Sequence, residues 1–199
     1  MTHSLHRKGI INDLKNDYVI IAMLAAGVND KTVYQDAKQR QLRIGEIMKN
    51  NNPTNLLNEA GWRLSSVVQG CFSDIADVRE ILKTIKKEDL GISVVVSGLI
   101  SEIQDMCQDI DLTMHTVNLS LGEFGKKNIL PSDKTLEITT LCGHHCISSQ
   151  SVEHYVEQIK KGKISVEKAA EKLTAPCVCG IFNTNRAKQI LRELVDESA

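Results

Sequence analysis

Two closely spaced pairs of cysteines near the end of the chain are the residues best suited to chemistry. Cys142 and Cys146 are four residues apart, Cys177 and Cys179 are two apart, and 30 residues lie between the pairs. A helical hairpin between the pairs would reverse the chain and bring them together. Four neighbouring thiolates cannot be buried without a cation, because their charges would be unpaired. The sequence therefore predicts a site where four sulfurs bind one metal ion or one cluster.

The spacing within each pair bears on which metal group is bound. Structural zinc sites usually contain Cys-x2-Cys pairs, whereas these pairs have the forms Cys-x3-Cys and Cys-x-Cys. Iron–sulfur clusters are held at more varied spacing, and Gly143 and Gly180 can direct backbone N–H groups at sulfur. A [4Fe-4S] cluster is therefore the leading prediction, with zinc as the alternative. A third hypothesis is metal-free thiol chemistry, in which the Cys-x-Cys pair forms a strained disulfide.

Several further side chains could join this site. One of the adjacent residues His144 and His145 could replace a cysteine as ligand or move protons, or both could be ordinary loop residues. Cys71 ends an apolar stripe, so it is either a small core residue or a thiolate held by backbone N–H groups at a helix junction. His3 and His6 belong either to a frayed terminus or to a ligand pair on one helical face.

Three amphipathic helices would position the cysteine pairs. Each has apolar residues at the i, i+3, i+4, i+7 spacing of a helix with one buried face: Val152, Tyr155, Val156 and Ile159; Val166, Ala169, Ala170 and Leu173; Ala187, Ile190, Leu191 and Leu194. Gly162 ends the first helix, while Ser165 and Asn183 cap the next two. The first two helices then form an antiparallel hairpin, with both cysteine pairs at its open end.

A change of sequence period in the middle of the chain predicts strands. The β-branched run 91–97 is expected to be a buried strand, 99–110 a helix, and 114–121 an alternating strand. Together they would form a βαβ unit with a right-handed crossover. A third strand over 136–141 would deliver Cys142 from its end.

The turn Ser97-Gly98 is a weak candidate for an anion site. It follows the first predicted strand and opens a helix, where open α/β sheets bind ligands and backbone amides attract anions; an ordinary strand-to-helix turn is the alternative. The loop 122–133 is long enough to cover such a site. His115 shares an apolar strand face and Cys107 lies beside an apolar stripe, so both are predicted to be core residues.

The first half of the chain is predicted to be helical. The run Val19 to Ala26, which is apolar all round, indicates a buried helix over 13–28, and apolar stripes indicate helices over 30–49, 54–71 and 74–87. The expected fold class is therefore α/β and predominantly helical, with a small sheet of about three strands and a C-terminal helical hairpin. Residues 1–90 would form the helical region and 91–199 the α/β region with the metal site, together one compact domain.

The composition of the chain limits the classes of function that it can have. The chain is 42% hydrophobic and 25% charged with a net charge of -1, which argues against nucleic-acid binding. Its longest apolar run, Val19 to Ala26, is too short to span a membrane. A cytoplasmic location is expected, where close-spaced cysteines indicate metal binding or redox activity rather than disulfides.

Taken together, these features predict a cytoplasmic iron–sulfur protein of an anaerobic or redox-linked pathway. It would transfer electrons to a redox partner protein or act on a small anionic ligand, and it could form a dimer. The alternative is a zinc-stabilised interaction or accessory protein without enzymatic activity.

Overall fold

A four-stranded antiparallel sheet is the middle layer of the structure, a computed structural model that describes residues 7–29, 33–120 and 122–196. The strands lie in the spatial order β2-β3-β1-β4. Their bounds are β1 (Tyr18–Met23), β2 (Asn55–Leu56), β3 (Val67–Phe72) and β4 (Ser93–Ser97). Strand β1 pairs with β3 on one side, Tyr18 opposite Phe72, and with β4 on the other, Val19 opposite Ser97.

Nine helices in the described ranges cover both faces of the sheet. They are α1 (Ile11–Leu14), α2 (Tyr34–Lys49), α3 (Glu59–Leu64), α4 (Ile75–Glu88), α5 (Ile100–Asp109), α6 (Asp133–Thr139), α7 (Ser149–Lys160), α8 (Val166–Thr174) and α9 (Thr184–Asp196). None of the helices in these ranges is both long enough and apolar enough to cross a lipid bilayer.

The sheet separates two hydrophobic cores. The first core joins one sheet face to α2–α5 and contains Tyr18, Ile44 and Phe72. The second core joins the opposite face to α6–α9 and contains Val19 and Phe182, together with four of the six cysteines. Successive side chains of a strand point to opposite faces, so β1 supplies both cores.

This double burial explains why the prediction of a helix over 13–28 is wrong. A strand buried on both faces is apolar at every position, as a fully buried helix is, and only Ile11–Leu14 is helical. The β-branched residues of the run, Val19, Ile20 and Ile21, favour the strand.

The predicted helix over 54–71 is also replaced by other elements. The chain forms β2, then α3, whose first turn is capped by Asn58 accepting from the N–H of Gly61, and then β3. Cys71 fits the alternation of β3 as well as it fits a helical stripe, which is why the pattern misled. Residues 1–90, predicted to be helical, therefore contain three of the four strands.

The predicted βαβ unit is absent from the described part of the chain. Strand β4 and helix α5 lie where expected, but 112–120 is irregular and lies outside the sheet. His115 is exposed and hydrogen-bonds Thr116, so its prediction as a core residue is wrong. Residues 133–139 are helix α6 rather than a strand, because the Ser132 side chain accepts from the N–H of Thr135 and caps a helix there.

The C-terminal helices match their prediction. Ser165 caps α8 by accepting from the N–H of Lys168, and Asn183 accepts from the N–H of Arg186 at the start of α9. Gly162 ends the turn after α7 with a positive φ of 67°. Helices α7 and α8 pack against each other and both pack against α9, so the loops before α7 and after α8 lie side by side.

Candidate metal centre

The two cysteine pairs meet at the ends of these helices. Cys142 and Cys146 lie in the loop between α6 and α7, and Cys177 and Cys179 lie in the loop between α8 and α9. The Sγ atoms of Cys177 and Cys179 are 3.5 Å apart. The side chains of Cys142 and Cys177 are hydrogen-bonded across the two loops, and Cys146 contacts Cys142. The structure therefore brings all four predicted sulfur ligands into one group, here called the cysteine cluster.

A histidine also reaches the cysteine cluster. Nδ1 of His144, an exposed residue, lies 3.5 Å from Sγ of Cys179. Its neighbour His145 is also exposed and has a positive φ of 54°. Of the two histidines considered as ligands, His144 is the one placed to act.

The cluster lies at the boundary between the second core and solvent. Cys142, Cys177 and Cys179 are buried, at 0%, 5% and 8% exposure, whereas Cys146 is exposed. Val178, between two of the buried cysteines, is 78% exposed. A bound group would therefore have a dry inner side and one side open to solvent or to a partner.

Backbone N–H groups point at the sulfur atoms. The backbone N–H of Ile181 acts to lower the pKa of both Cys177 and Cys179. The N–H groups of His144 and Cys146 act in the same direction on the pKa of Cys142. Hydrogen bonds of this kind stabilise the charged form of a thiol, so the two loops are suited to thiolates.

The four thiols differ in acidity because of their mutual contacts. The hydrogen bond from Cys177 lowers the pKa of Cys179 below the ordinary thiol value, although burial opposes it. The hydrogen bond with Cys177, followed by burial, raises the pKa of Cys142. At Cys177 the hydrogen bond to Cys142 acts downward, but the one to Cys179 and burial outweigh it and raise the pKa to about 11. Burial raises the pKa of Cys146.

Gly180 fixes the second loop against the edge of the sheet. Its φ is +77°, and a Cβ atom there would lie 2.0 Å from the backbone nitrogen of Leu57 and 2.2 Å from the carbonyl carbon of Leu56. Only glycine permits this approach. The amide of Asn55 also donates to the carbonyl of Phe182, at 3.3 Å, so β2 holds the loop that carries Cys177 and Cys179.

A buried network of ion pairs also contacts the loop that carries Cys177 and Cys179. The carboxylate of Asp17, fully buried, lies 2.9 Å from Nη1 of Arg186 and 3.2 Å from Nη1 of Arg7. Arg7 also donates to the carbonyl of Ile181 at 2.5 Å, and Arg186 pairs with Glu137 at 3.3 Å. No pattern in the sequence indicates this network, because its members are widely separated along the chain and Asp17 falls within a predicted helix.

The structure places the remaining predicted site residues as follows. Cys71 is fully buried in β3 within the second core, and burial raises the pKa of its thiol. Cys107 belongs to the first core, as predicted. Ser97 ends β4, and a Cβ atom on Gly98 would lie 2.7 Å from the ring of Tyr18, so close packing accounts for this glycine without an anion. The predicted roles of His3 and His6 lie outside the described residues.

The cysteines of the cluster and His144 are residue types that suit a thiolate-binding metal, but their side chains are not arranged around one point. In the residues that the structure describes, no three His, Cys, Asp or Glu side chains form a ready metal-binding group. The sulfurs of Cys177 and Cys179 lie within hydrogen-bonding distance of each other. Metal binding releases the protons of its cysteine ligands.

Comparison with known proteins identifies no relative. No protein-family model matches the chain, and neither a curated protein nor a solved structure is significantly similar to it. The function must therefore be argued from the cysteine cluster itself.

Proposed function

We propose that this chain is a metal–thiolate protein in which Cys142, Cys177 and Cys179 bind one tetrahedral ion, with His144 or Cys146 as fourth ligand. Zinc suits such a set of sulfur and imidazole ligands. A zinc ion there would join the α6–α7 loop to the α8–α9 loop and stabilise the C-terminal helices. The protein would then be a zinc-stabilised interaction or accessory protein.

The observation that carries this proposal is the spacing of the donor atoms. With Zn–S bonds of about 2.3 Å, two sulfurs at tetrahedral positions lie about 3.8 Å apart, and a sulfur and an imidazole nitrogen about 3.5 Å apart. The distances from Cys179 to Cys177 and to Nδ1 of His144 are both 3.5 Å. Sulfurs bound to separate irons of a [4Fe-4S] cluster would stand farther apart, because each iron takes one thiolate.

A [4Fe-4S] cluster held by all four cysteines is the second candidate. The N–H groups of Ile181, His144 and Cys146 that point at sulfur favour it, since such bonds tune the potential of iron–sulfur centres. The exposed Cys146 would place one iron near solvent, where a redox partner or a small anionic ligand could approach. This candidate requires the sulfurs of Cys177 and Cys179, now 3.5 Å apart within one loop, to separate.

Metal analysis with a visible absorption spectrum on protein purified without air separates the two candidates. One zinc per chain and no visible colour are expected. Iron with acid-labile sulfide and a brown colour would establish the cluster instead. Protein that binds neither metal, and shows a titratable disulfide, would leave metal-free thiol chemistry.

Cysteine variants assign the ligands. Cys142→Ser and Cys177→Ser should each lose the metal and lower the stability of the C-terminal helices. Cys107→Ala is the matched control, since Cys107 is buried in the first core and should leave the metal content unchanged. Unchanged metal in Cys177→Ser would remove that residue from the ligand set.

A further inference from the structure

We propose that a pocket beside strand β4 binds a neutral small molecule with an aliphatic body. The pocket has a volume of about 610 Å³, within the range of small-molecule sites, roughly 300–1,000 Å³. It lies on the side of the sheet that carries the first core. The cysteine cluster belongs to the second core on the opposite face, so this site does not depend on the metal centre.

Two walls of the pocket are aliphatic and belong to regular elements. Val94 and Val96 come from β4, and Leu82 and Ile85 come from α4. Ile103 of α5 closes the space between them. All five lie in the first core or pack against it, so these walls are held in place by the fold.

The third wall is the irregular segment 112–120. Leu112 and Met114 pack against the first core, whereas Val117 and Leu119 are 50% and 69% exposed. Strand β4 is an edge strand of the sheet. The alternating sequence of this segment predicts a strand beside β4, but the pocket lies between the two. The segment thus covers an aliphatic space that no described element fills.

The charge of the lining selects a neutral ligand. Lys86 is the one Lys, Arg, Asp or Glu among the described lining residues. Its Nζ donates to the carbonyls of Ile110 and Asp111, at 3.0 and 2.6 Å, and pairs with the Asp111 carboxylate at 3.0 Å. These three contacts use all three of its N–H donors. His115 also lines the pocket, and its Nδ1 lies 2.8 Å from the hydroxyl of Thr116. The remaining polar lining groups are side chains such as Thr113 and Asn118, which suit an uncharged hydrogen-bonding end group.

The size and continuity of the aliphatic walls support an apolar occupant rather than water. An apolar surface of this extent is unfavourable in water, and exposed apolar patches of this kind mark binding sites. A ligand that removed Val94, Val96 and the exposed Val117 from water would gain affinity in proportion to the buried area.

Fluorescence titration of the full chain with the neutral dye N-phenyl-1-naphthylamine tests the site. Saturable binding of one dye is expected, with displacement by 1-decanol. Decanoate and decyltrimethylammonium should each displace it about tenfold more weakly, because no free charge lines the pocket. Equal displacement by either ion would contradict the assignment of a neutral ligand.

Variants in the walls locate the bound dye. Val96→Phe and Met114→Trp reduce the space from opposite sides, and each should weaken dye binding about tenfold. Leu64→Phe is the control, because Leu64 is 90% exposed on α3 and outside the pocket. If Val96→Phe fails to fold, Met114→Trp alone tests the site, because Met114 lies in the irregular segment 112–120 and not in a strand. Unchanged binding in the folded wall variants, or no saturable binding by the native chain, would overturn the proposal.

Discussion

Replacing Gly180 with alanine should destabilise the protein for two separable reasons. The left-handed φ of +77° costs an alanine about 1–2 kcal/mol. The added Cβ would also meet the backbone of Leu56 and Leu57 at 2.0–2.2 Å, and backbone cannot rotate aside as a side chain can. Overpacking of this kind costs about 1–3 kcal/mol. The sum is a loss of about 2–5 kcal/mol in the free energy of unfolding.

Gly162 supplies a matched control for this prediction. Its φ is +67°, but a Cβ atom added there would have no neighbour within 4 Å, so Gly162→Ala carries the conformational cost alone. For a chain of this size each kcal/mol lowers Tm by about 2–4 °C. We expect a fall of about 2–8 °C for Gly162→Ala and about 4–20 °C for Gly180→Ala by circular dichroism.

The difference between the two variants isolates the effect of the close approach at Gly180. Metal content should also fall in Gly180→Ala, because the alanine would displace the loop that carries Cys177 and Cys179, and it should not fall in Gly162→Ala. Equal Tm losses and equal metal contents in the two variants would refute the reasoning.

Three further predictions concern buried or paired groups. Asp17→Asn removes the carboxylate shared by two buried guanidiniums and leaves Arg186 paired with Glu137 alone, so the urea midpoint should reflect a loss of about 3–5 kcal/mol. The hydrogen bond from Lys134 lowers the pKa of Glu193 in the folded protein. The stability that this pair contributes is complete above the pKa of Glu193 in the unfolded chain, about 4.3, and is lost as pH falls through the lower pKa of the folded state. Glu193→Gln should therefore flatten the acid side of a stability–pH curve. Cys71→Ser should destabilise the protein by about 1–3 kcal/mol more than Cys71→Ala, because it buries a hydroxyl; loss of metal in both would make Cys71 a ligand.

The C-terminal half of the fold could be predicted because its signals are local. Each helix there has one apolar face, a side-chain cap such as Ser165 or Asn183, and a glycine or a short turn at its end. These features need no knowledge of the rest of the molecule. The meeting of Cys142 with Cys177 follows from the same local geometry.

The sheet could not be predicted in the same way because its strands are buried on both faces. The run around Val19 is apolar at every position, and its period is therefore undefined. Helical spacing at Cys71 coincides with strand alternation, so the residue fits two structures equally well. Conversely, 114–120 has a clear alternation but is not part of the sheet, since alternation describes a suitable surface and not the presence of a partner strand.

The contacts that hold the cysteine cluster in place could not be predicted from the sequence, for a different reason. Arg7, Asp17 and Arg186 are brought together by the packing of α9 against the start of β1, and their spacing along the chain carries no period. The left-handed conformation of His145 is likewise set by the loop. Residue types indicate the chemistry of the site, whereas its choice of ligands depends on long-range contacts.

The contacts around the cluster argue that a metal there would do more than close a loop. The loop with Cys177 and Cys179 touches β2 through Gly180, and Arg7 links its Ile181 carbonyl to Asp17 at the start of β1. Both contacts belong to the sheet, while Cys142 belongs to the loop ahead of α7. An ion shared by the two loops would therefore connect the C-terminal helices to the sheet.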